Sequence, residues 1–273
     1  MNIKEIINEH YLELTKSEMK IADFILDDDD DTTVFQTLSE MAKNLNVGEA
    51  TIVRFSKRLG FDGFQEMKLV MALDKEQKET TFQGKKDLTI RDKMVKIIDK
   101  SVNAIDDEMI ELAAKYIEDA ETIYIIGTGA SGHVAEMLED RLTRIGIRCR
   151  AMKDGHTQIT RAAIAKPEDV YIAISLTGLT EDIYLSAEEA QSNGAKIIVV
   201  TNHSESPLAE LADCVLQTAG FESPLTGGDF MSAISQFYVL SLLCEILMQN
   251  KPTESYEHKK NIARAVRKKV IKP

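Results

Sequence analysis

Two stretches of the sequence combine glycines with hydroxyl side chains in a spacing suited to holding a phosphate. The first follows the apolar run 122–126 and contains Gly127, Gly129, Ala130 and Ser131. A glycine-rich turn between a strand and a helix presents backbone N–H groups, and the positive end of the helix dipole, to an anion. This stretch therefore predicts a phosphate-binding turn.

The second stretch places three hydroxyl side chains around one glycine, directly after the apolar run 170–174. Its candidate phosphate contacts are Ser175, Thr177, Gly178 and Thr180. Hydroxyl groups and backbone amides at the start of a helix form a site for a phosphate monoester. We therefore expect a phosphate to bind across both stretches.

The first stretch also matches the GxGxxG fingerprint of dinucleotide-binding folds at residues 127–132. That fingerprint needs an acidic residue about 20 positions further on, at the end of the next strand. Here the next predicted strand, 146–150, ends in Arg150, and Asp154 comes late. A nicotinamide-dependent oxidoreductase is therefore only the third function to consider.

The hypothesis that the phosphate site is catalytic requires a base. Isomerisation of a sugar needs a base beside C1 and C2, usually a carboxylate, and an acid or histidine for ring opening. The candidates are Glu222, His133 and His156. Each of them also fits a rim or capping position, so we assign no catalytic residue. A sugar-phosphate isomerase or epimerase with a helical appendage is the alternative function.

A third chemical signal is a pair of short helices joined by a tight turn. Thr37 and Glu40 form a capping-box pattern at the start of the first helix. The turn falls at residues 46–48, and Gly60 ends the second helix, in which Ala50 is small enough to let the two helices cross closely. The pattern predicts a helix-turn-helix, although spacing alone fits a generic helical hairpin equally well.

In a helix-turn-helix the second helix lies in the major groove of DNA. Its N-terminal residues face base edges, and flanking basic side chains contact phosphates. These roles assign Glu49, Thr51 and Arg54 to bases, and Lys57 and Arg58 to phosphates. The predicted DNA-binding set, with the two capping positions included, is Thr37, Gly48, Glu49, Thr51, Arg54, Lys57 and Arg58.

The overall charge of the chain is unfavourable for DNA, but its distribution is not. Acidic residues number 45 against 33 lysines and arginines, which gives a net charge of −12. Residues 43–68 nevertheless carry five basic and three acidic side chains. Since local charge decides contact with phosphates, this surplus permits DNA binding.

The apolar stretches, the first residues and the cysteines limit the class of protein. No apolar stretch approaches the roughly 20 residues of a membrane span, and residues 1–14 do not have the pattern of an export signal. We expect a cytoplasmic protein without membrane partners. Cys149, Cys214 and Cys244 are widely spaced in apolar or small-residue surroundings, which predicts reduced structural thiols. No metal site or cofactor is expected.

The periodicity of apolar residues divides the chain into four segments. Residues 1–75 are predicted to be helical, and 76–104 to hold a polar linker and a connecting helix. Residues 105–250 alternate short β-branched runs with helices, which is typical of βαβ units and a parallel sheet. Residues 251–273 form a basic tail with eight basic and two acidic residues and a weak apolar stripe, a possible terminal helix.

The DNA-reading segment resembles the helix-turn-helix of RpiR-type transcriptional regulators. The resemblance rests on Ala-Thr-Ile-Val-Arg-Phe at 50–55 and on Leu-Gly-Phe-Asp-Gly-Phe at 59–64. Gly48 departs from the family, which often has serine there, so the helix cap and a possible phosphate contact are weaker. The resemblance implies a regulator whose partner is double-stranded operator DNA.

The phosphate stretches resemble those of SIS (sugar isomerase) domains over residues 105–248. Ser-Leu-Thr-Gly-Leu-Thr at 175–180 matches the S-x-S-G-x-T loop, with Thr177 retaining the hydroxyl of the second serine. Regulators of this family often carry glutamate at the position of Glu222, which makes that residue a further sugar-phosphate contact, whereas arginines of the family are replaced near Thr226 and Ala233.

The combined resemblance implies an all-α helix-turn-helix head joined to an α/β, doubly wound parallel-sheet (SIS-like) domain. It implies a regulator of sugar or amino-sugar metabolism that senses a phosphorylated sugar and does not convert it. SIS domains usually dimerise, and the apolar helix 234–248 is long enough to bury an interface, so a homodimer or higher homo-oligomer is expected.

Overall fold

The computed structural model describes residues 3–28, 32–81, 90–220 and 230–269. Clustering of the backbone separates two units. The described residues up to 90 form one unit, and those of 91–220 and 230–269 form the other. The first is helical and the second contains a parallel sheet, so the predicted fold class is confirmed.

The helical unit packs five α-helices around one apolar core. Its helices are Ile3–His10 (α1), Lys16–Leu26 (α2), Leu38–Leu45 (α3), Glu49–Arg58 (α4) and Phe64–Thr81 (α5). Short 3₁₀ turns lie at Tyr11–Glu13 and Thr32–Phe35. The side chains at the centre of the core are fully buried and come from all five helices: Ile7, Ile21, Met41, Ile52, Phe55 and Met67.

Local capping explains where α3 and α4 begin and end. The Thr37 hydroxyl accepts a hydrogen bond from the Glu40 backbone N–H, and the Glu40 carboxylate accepts one from the Thr37 backbone, which is the predicted capping box. Asn46 ends α3 in the left-handed conformation at φ 50°. Gly60, at φ 92°, follows α4 and ends it as expected.

Two expectations for this unit were wrong. Ala50 is exposed, so it does not lie where the helices cross. Ser56 is the small residue of α4 that is fully buried, and its hydroxyl donates to the Ile52 carbonyl. The predicted linker does not begin at residue 76, because α5 continues to Thr81 through residues without apolar periodicity. Residues 82–89 lie outside the described part of the chain.

The second unit is a five-stranded parallel sheet flanked by helices. The connecting helix is Ile90–Ala104 (α6), as predicted, and Asp107–Asp119 (α7) follows it. The strands are Thr122–Ile126 (β1), Cys149–Met152 (β2), Asp169–Ile174 (β3), Lys196–Thr201 (β4) and Cys214–Gln217 (β5). The remaining helices are Gly129–Arg144 (α8), Gly155–Ala162 (α9), Glu181–Ser192 (α10), Pro207–Glu210 (α11), Phe230–Asn250 (α12) and Pro252–Arg267 (α13).

Helices cover both faces of the sheet. Side chains of β1, β3 and β4 that point to one face pack with α7, α8 and α12, and those of the other face pack with α10 and α11. The strand order is β2-β1-β3-β4-β5. This order has its reversal between β1 and β3 and differs from the 3-2-1-4-5-6 order of classical dinucleotide-binding folds.

The strand after α8 begins later than predicted. We expected it at 146–150, whereas β2 spans Cys149–Met152. The backbone N–H groups of Ile145, Gly146 and Ile147 donate to carbonyls in the last turn of α8, and Gly146 takes φ 93°. These residues therefore close the helix before the strand can start.

The basic tail forms α13, in agreement with the prediction of a terminal helix. All three cysteines are free thiols, and burial raises the pKa of Cys149 and Cys214 to about 12 and that of Cys244 to about 11. They stay protonated at neutral pH, as expected of structural thiols. No helix among the described residues has the length and apolar character required to cross a bilayer.

Candidate functional site

The two glycine and hydroxyl stretches leave the sheet side by side. Ile126, the last residue of β1, pairs with Ala173 near the end of β3. Residues 127–132, which include the first turn of α8, and residues 175–180 therefore follow two neighbouring parallel strands at their carboxyl ends. They lie where the strand order reverses, which is the usual ligand position of open α/β sheets. The structure brings together all the predicted phosphate contacts that it describes.

The first loop, residues 127–132, is shaped by its glycines. A Cβ atom at Gly127 would lie 2.8 Å from the backbone oxygen of Ser131, so no other residue fits there. Gly129 begins α8 at φ 53°. Thr128 occupies the cap position without capping the helix through its side chain. The N-terminal turn of α8 thus has no side-chain cap from Thr128 to compete with an anion.

Two buried glutamines that the sequence analysis did not single out hold this loop. The Gln158 side-chain amide donates to the carbonyl oxygens of Gly127 (3.1 Å) and Met152 (2.8 Å). The Gln236 amide donates to the Ser131 hydroxyl at 3.2 Å. Gln236 is a polar residue inside the largely apolar helix 234–248, which also contains Ser235, Ser241 and Glu245, so its polarity alone does not single it out in the sequence.

The second loop, residues 175–180, is organised by its own hydroxyl groups. The Ser175 and Thr180 hydroxyl oxygens are 3.2 Å apart, and the Gly178 backbone N–H donates to Ser175 Oγ. The Leu179 backbone N–H donates to Thr177 Oγ1. Thr180 caps α10 without a side-chain hydrogen bond to the helix. Hydroxyls and the N-terminal turn of α10 thus lie within one short segment.

The last residue of β4 and residues that follow it contact the second loop. The carbonyl oxygen of Leu176 accepts hydrogen bonds from the Thr201 hydroxyl (3.1 Å) and the Asn202 backbone N–H (2.9 Å). Gly178 has φ 64° and lies against Ser206, which caps α11. Because these contacts come from a neighbouring strand, the sheet itself determines the loop conformation.

The exposed rim near the first loop carries charged residues. Lys153, directly after β2, forms a 2.9 Å ion pair with Glu136 of α8, and His133 lies 3.4 Å from the same carboxylate. The hydrogen bond from Lys153 lowers the pKa of the Glu136 carboxyl. His133 and His156 are exposed, which agrees with rim positions. Glu222, the remaining candidate base and sugar contact, lies outside the described residues.

The recognition helix α4 separates an apolar face from a polar one. Ile52, Phe55 and Ser56 are fully buried in the helical core. On the opposite face Arg54 is exposed, and its guanidinium lies 3.3 Å from the hydroxyl of Thr51, which is half-buried. Both side chains are candidates for base contacts, and the structure places them on one side of the helix.

The side chains of Glu49, Lys57 and Arg58 lie at the surface, and two of them also contact other residues of the helical unit. Glu49 and Lys57 are exposed, and Glu49 accepts a hydrogen bond from Ser39 of α3. The Arg58 guanidinium forms contacts within the helical unit. Its Nε lies 3.2 Å from the buried Glu18 carboxylate, and its Nη1 donates to the Glu13 carbonyl.

The two cap positions have different roles. The Thr37 hydroxyl is already engaged in the capping box, whereas Gly48 begins α4 with no side chain to cap it.

Within residues 3–28, 32–81, 90–220 and 230–269, no group of three or more histidine, cysteine or acidic side chains is placed to hold a metal ion.

Comparison with family models matches both units. A model described as "Helix-turn-helix domain, rpiR family" matches residues 1–78, and one described as "SIS domain" matches residues 116–246. An HTH-type transcriptional regulator from Haemophilus influenzae is 33% identical over 99% of this chain and 98% of its own length. The HTH-type transcriptional regulator RpiR of Escherichia coli is 28% identical over 83% of this chain and 79% of its own.

Two solved structures are also similar to this chain. The NanR protein of Vibrio vulnificus complexed with ManNAc-6P is similar with a TM-score of 0.85 and 27% identity, covering 99% of this chain and all of that one. The sugar isomerase domain of an RpiR transcription factor from Sphaerobacter thermophilus is similar with a TM-score of 0.58 and 26% identity, covering 63% of this chain and 94% of that one.

Proposed function

Because the chain belongs to the RpiR family of helix-turn-helix transcriptional regulators, we propose that it binds operator DNA through α4 and that a phosphorylated sugar in the sheet-edge loops changes this binding. The regulator is expected to act on genes of sugar or amino-sugar metabolism. Its place of action is the cytoplasm, where the operator and the sugar phosphates are.

One observation carries the ligand proposal: two loops rich in donors follow adjacent strands at the point where the sheet order reverses. Ser131, Ser175, Thr177 and Thr180 supply hydroxyls, and α8 and α10 supply N-terminal turns. A phosphate monoester has only acceptor oxygens at its dianionic charge, so it is complementary to such a set of donors. The complex of NanR with ManNAc-6P makes an N-acylated amino-sugar phosphate the first ligand to test.

For the DNA site we propose Glu49, Thr51 and Arg54 as base contacts and Lys57 as a phosphate contact. Arg58 remains a candidate phosphate contact, although its internal ion pair with Glu18 gives it a structural task as well. Gly48 and Thr37 position the helix ends. Sorting contacts in this way separates sequence readout from general affinity for DNA.

Regulation requires that the two ligands influence each other. We propose a homodimer that presents two heads to two half-sites, because one recognition helix reads only a few base pairs. A sugar phosphate that binds more tightly to one arrangement of the dimer shifts the DNA affinity by the same differential free energy, typically about 1–3 kcal/mol.

Isothermal titration calorimetry with a panel of hexose and amino-sugar phosphates tests the ligand site. We expect at least one member to bind the wild type, and Ser175→Ala and Thr180→Val to weaken it by about 10-fold or more, since each removes a hydrogen bond to a charged group worth about 1.5–3 kcal/mol. Thr143→Val, at an exposed position of α8, is the matched control. Wild-type affinity in the Ser175 and Thr180 variants combined would place the phosphate elsewhere.

The same ligands distinguish sensing from catalysis. An isomerase that works through an enediol exchanges the C2 proton of its substrate with solvent. We expect ligand recovered from deuterium oxide to be unlabelled. Incorporation of deuterium that disappears in Glu222→Gln would instead identify a sugar-phosphate isomerase with Glu222 as its base.

A further inference from the structure

Gln236 of α12 donates its side-chain amide to Ser131 of the first loop, across 105 residues of sequence. Gln236 is 1% exposed, and the four residues that follow it on α12, from Phe237 to Leu240, are aromatic or aliphatic. A buried amide in such a position is costly unless it is used, because its polar groups lose their hydrogen bonds to water. The contact to the loop is therefore a specific feature of this core.

The direction of this hydrogen bond determines what Ser131 can do. A hydroxyl has one donor proton and two acceptor lone pairs. Because the Gln236 amide donates to Ser131 Oγ, one lone pair is occupied and the hydroxyl proton is left to be donated to another group. The loop thus offers a hydroxyl donor beside the N-terminal turn of α8, where an anion is favoured.

We infer that Gln236 is a positioning residue that commits the Ser131 hydroxyl to donating, and that it thereby selects an acceptor-only, anionic group on the ligand. The inference rests on the proposed sugar-phosphate site and deepens it. Gln158 has a different role. Its amide donates to the backbone carbonyls of Gly127 and Met152, so it supports the loop backbone and does not orient a hydroxyl that contacts the ligand.

A double-mutant cycle in calorimetry tests the inference on the full chain. The variants are Gln236→Met, Ser131→Ala and the two combined, each titrated with ManNAc-6P, glucosamine 6-phosphate and inorganic phosphate. We expect each single variant to lower the affinity for the ligand by about 10-fold, as for loss of a hydrogen bond to a charged group. The combined variant should be no weaker than Ser131→Ala alone, since Gln236 acts through Ser131.

Controls separate positioning from packing. Gln191→Met makes the same substitution on α10, where the Gln191 amide contacts the Leu211 carbonyl at the surface, and should leave affinity unchanged. If Gln236→Met does not fold, Gln236→Asn takes its place, because it keeps an uncharged amide but withdraws the N–H from Ser131 by one methylene group.

The outcomes are distinct. Full affinity in Gln236→Met, or losses that simply add in the combined variant, would overturn the inference while the sugar-phosphate site stands. A wild type that binds no member of the panel of hexose and amino-sugar phosphates would reject the proposed ligand site, and the inference with it.

Discussion

Gly178 lies so close to Ser206 that a Cβ atom on Gly178 would overlap the Ser206 hydroxyl. Gly178 also takes φ 64°, a conformation that strains residues with a side chain. Two independent constraints, one local and one tertiary, therefore require glycine in the middle of the second loop. The loop that we propose to hold a phosphate therefore packs against the start of α11 at this glycine.

Gly178→Ala should distort the second loop. We expect it to reduce sugar-phosphate affinity by more than 10-fold and to lower the free energy of unfolding by about 1–3 kcal/mol, the range for backbone strain. Calorimetry and urea denaturation measure the two effects. Gly63→Ala is the control, because a Cβ atom there would meet no atom within 4 Å. An unaltered ligand affinity in Gly178→Ala would show that the loop does not contact the ligand.

Arg54 and Lys57 should have separable effects on DNA. Replacing Arg54 with alanine should cost about 1–3 kcal/mol on the operator and relax the choice of sequence, because Arg54 is assigned to a base. Lys57→Ala should weaken all sequences alike and reduce the slope of log affinity against log salt by about 1. Fluorescence anisotropy over a salt series gives both quantities. Operator affinity unchanged in both variants would contradict the assignment of α4.

Gly48→Ser should strengthen the start of α4. Gly48 has the extended backbone of a cap position, and a Cβ atom there would meet only Thr51 Oγ1 at 3.8 Å, so serine fits without strain. A serine hydroxyl can accept the N–H of the first turn, with a gain of a few tenths of a kcal/mol over glycine. Thermal unfolding and operator binding should both improve slightly. Gly48→Ala, which adds the carbon without the oxygen, should be less stable than the wild type.

The Glu18–Arg58 pair should make the stability of the helical unit depend on pH. Burial alone raises the pKa of the Glu18 carboxyl, but hydrogen bonds from Thr15 and the Arg58 guanidinium bring it below its usual value of 4.5. A depressed folded pKa contributes stability that is complete above the unfolded pKa and is lost as the pH falls through the folded one. Glu18→Gln removes this contribution.

Amide hydrogen exchange in α2 and α4 of the full chain measures that loss. The wild type should be better protected than Glu18→Gln at pH 7, and the difference should shrink as the pH falls below about 4.5. Exposed Glu9→Gln, on α1, should behave as the wild type. A difference that does not vary with pH would mean that the Glu18 charge has no part in the stability of this unit.

The sequence by itself determined the elements whose signals are local. The capping box of Thr37 and Glu40, the turn at Asn46 and the strand at 122–126 all form as predicted. Each depends on residues within one helical turn or one strand, so neighbouring residues carry enough information. The positions of both proposed phosphate loops followed, since each lies between a predicted strand and a predicted helix.

The tertiary structure decided which distant residues meet. The contact of Gln236 with Ser131, the support of Leu176 by Thr201 and the inward turn of Arg58 toward Glu18 join residues 25 to 105 positions apart. The late start of β2 reflects the closure of α8 by residues 145–147, and neither this closure nor the extension of α5 to Thr81 follows from a local period. Side chains of the same type cap, pack or bind according to what the fold places opposite them, and that information is absent from the spacing of residues along the chain.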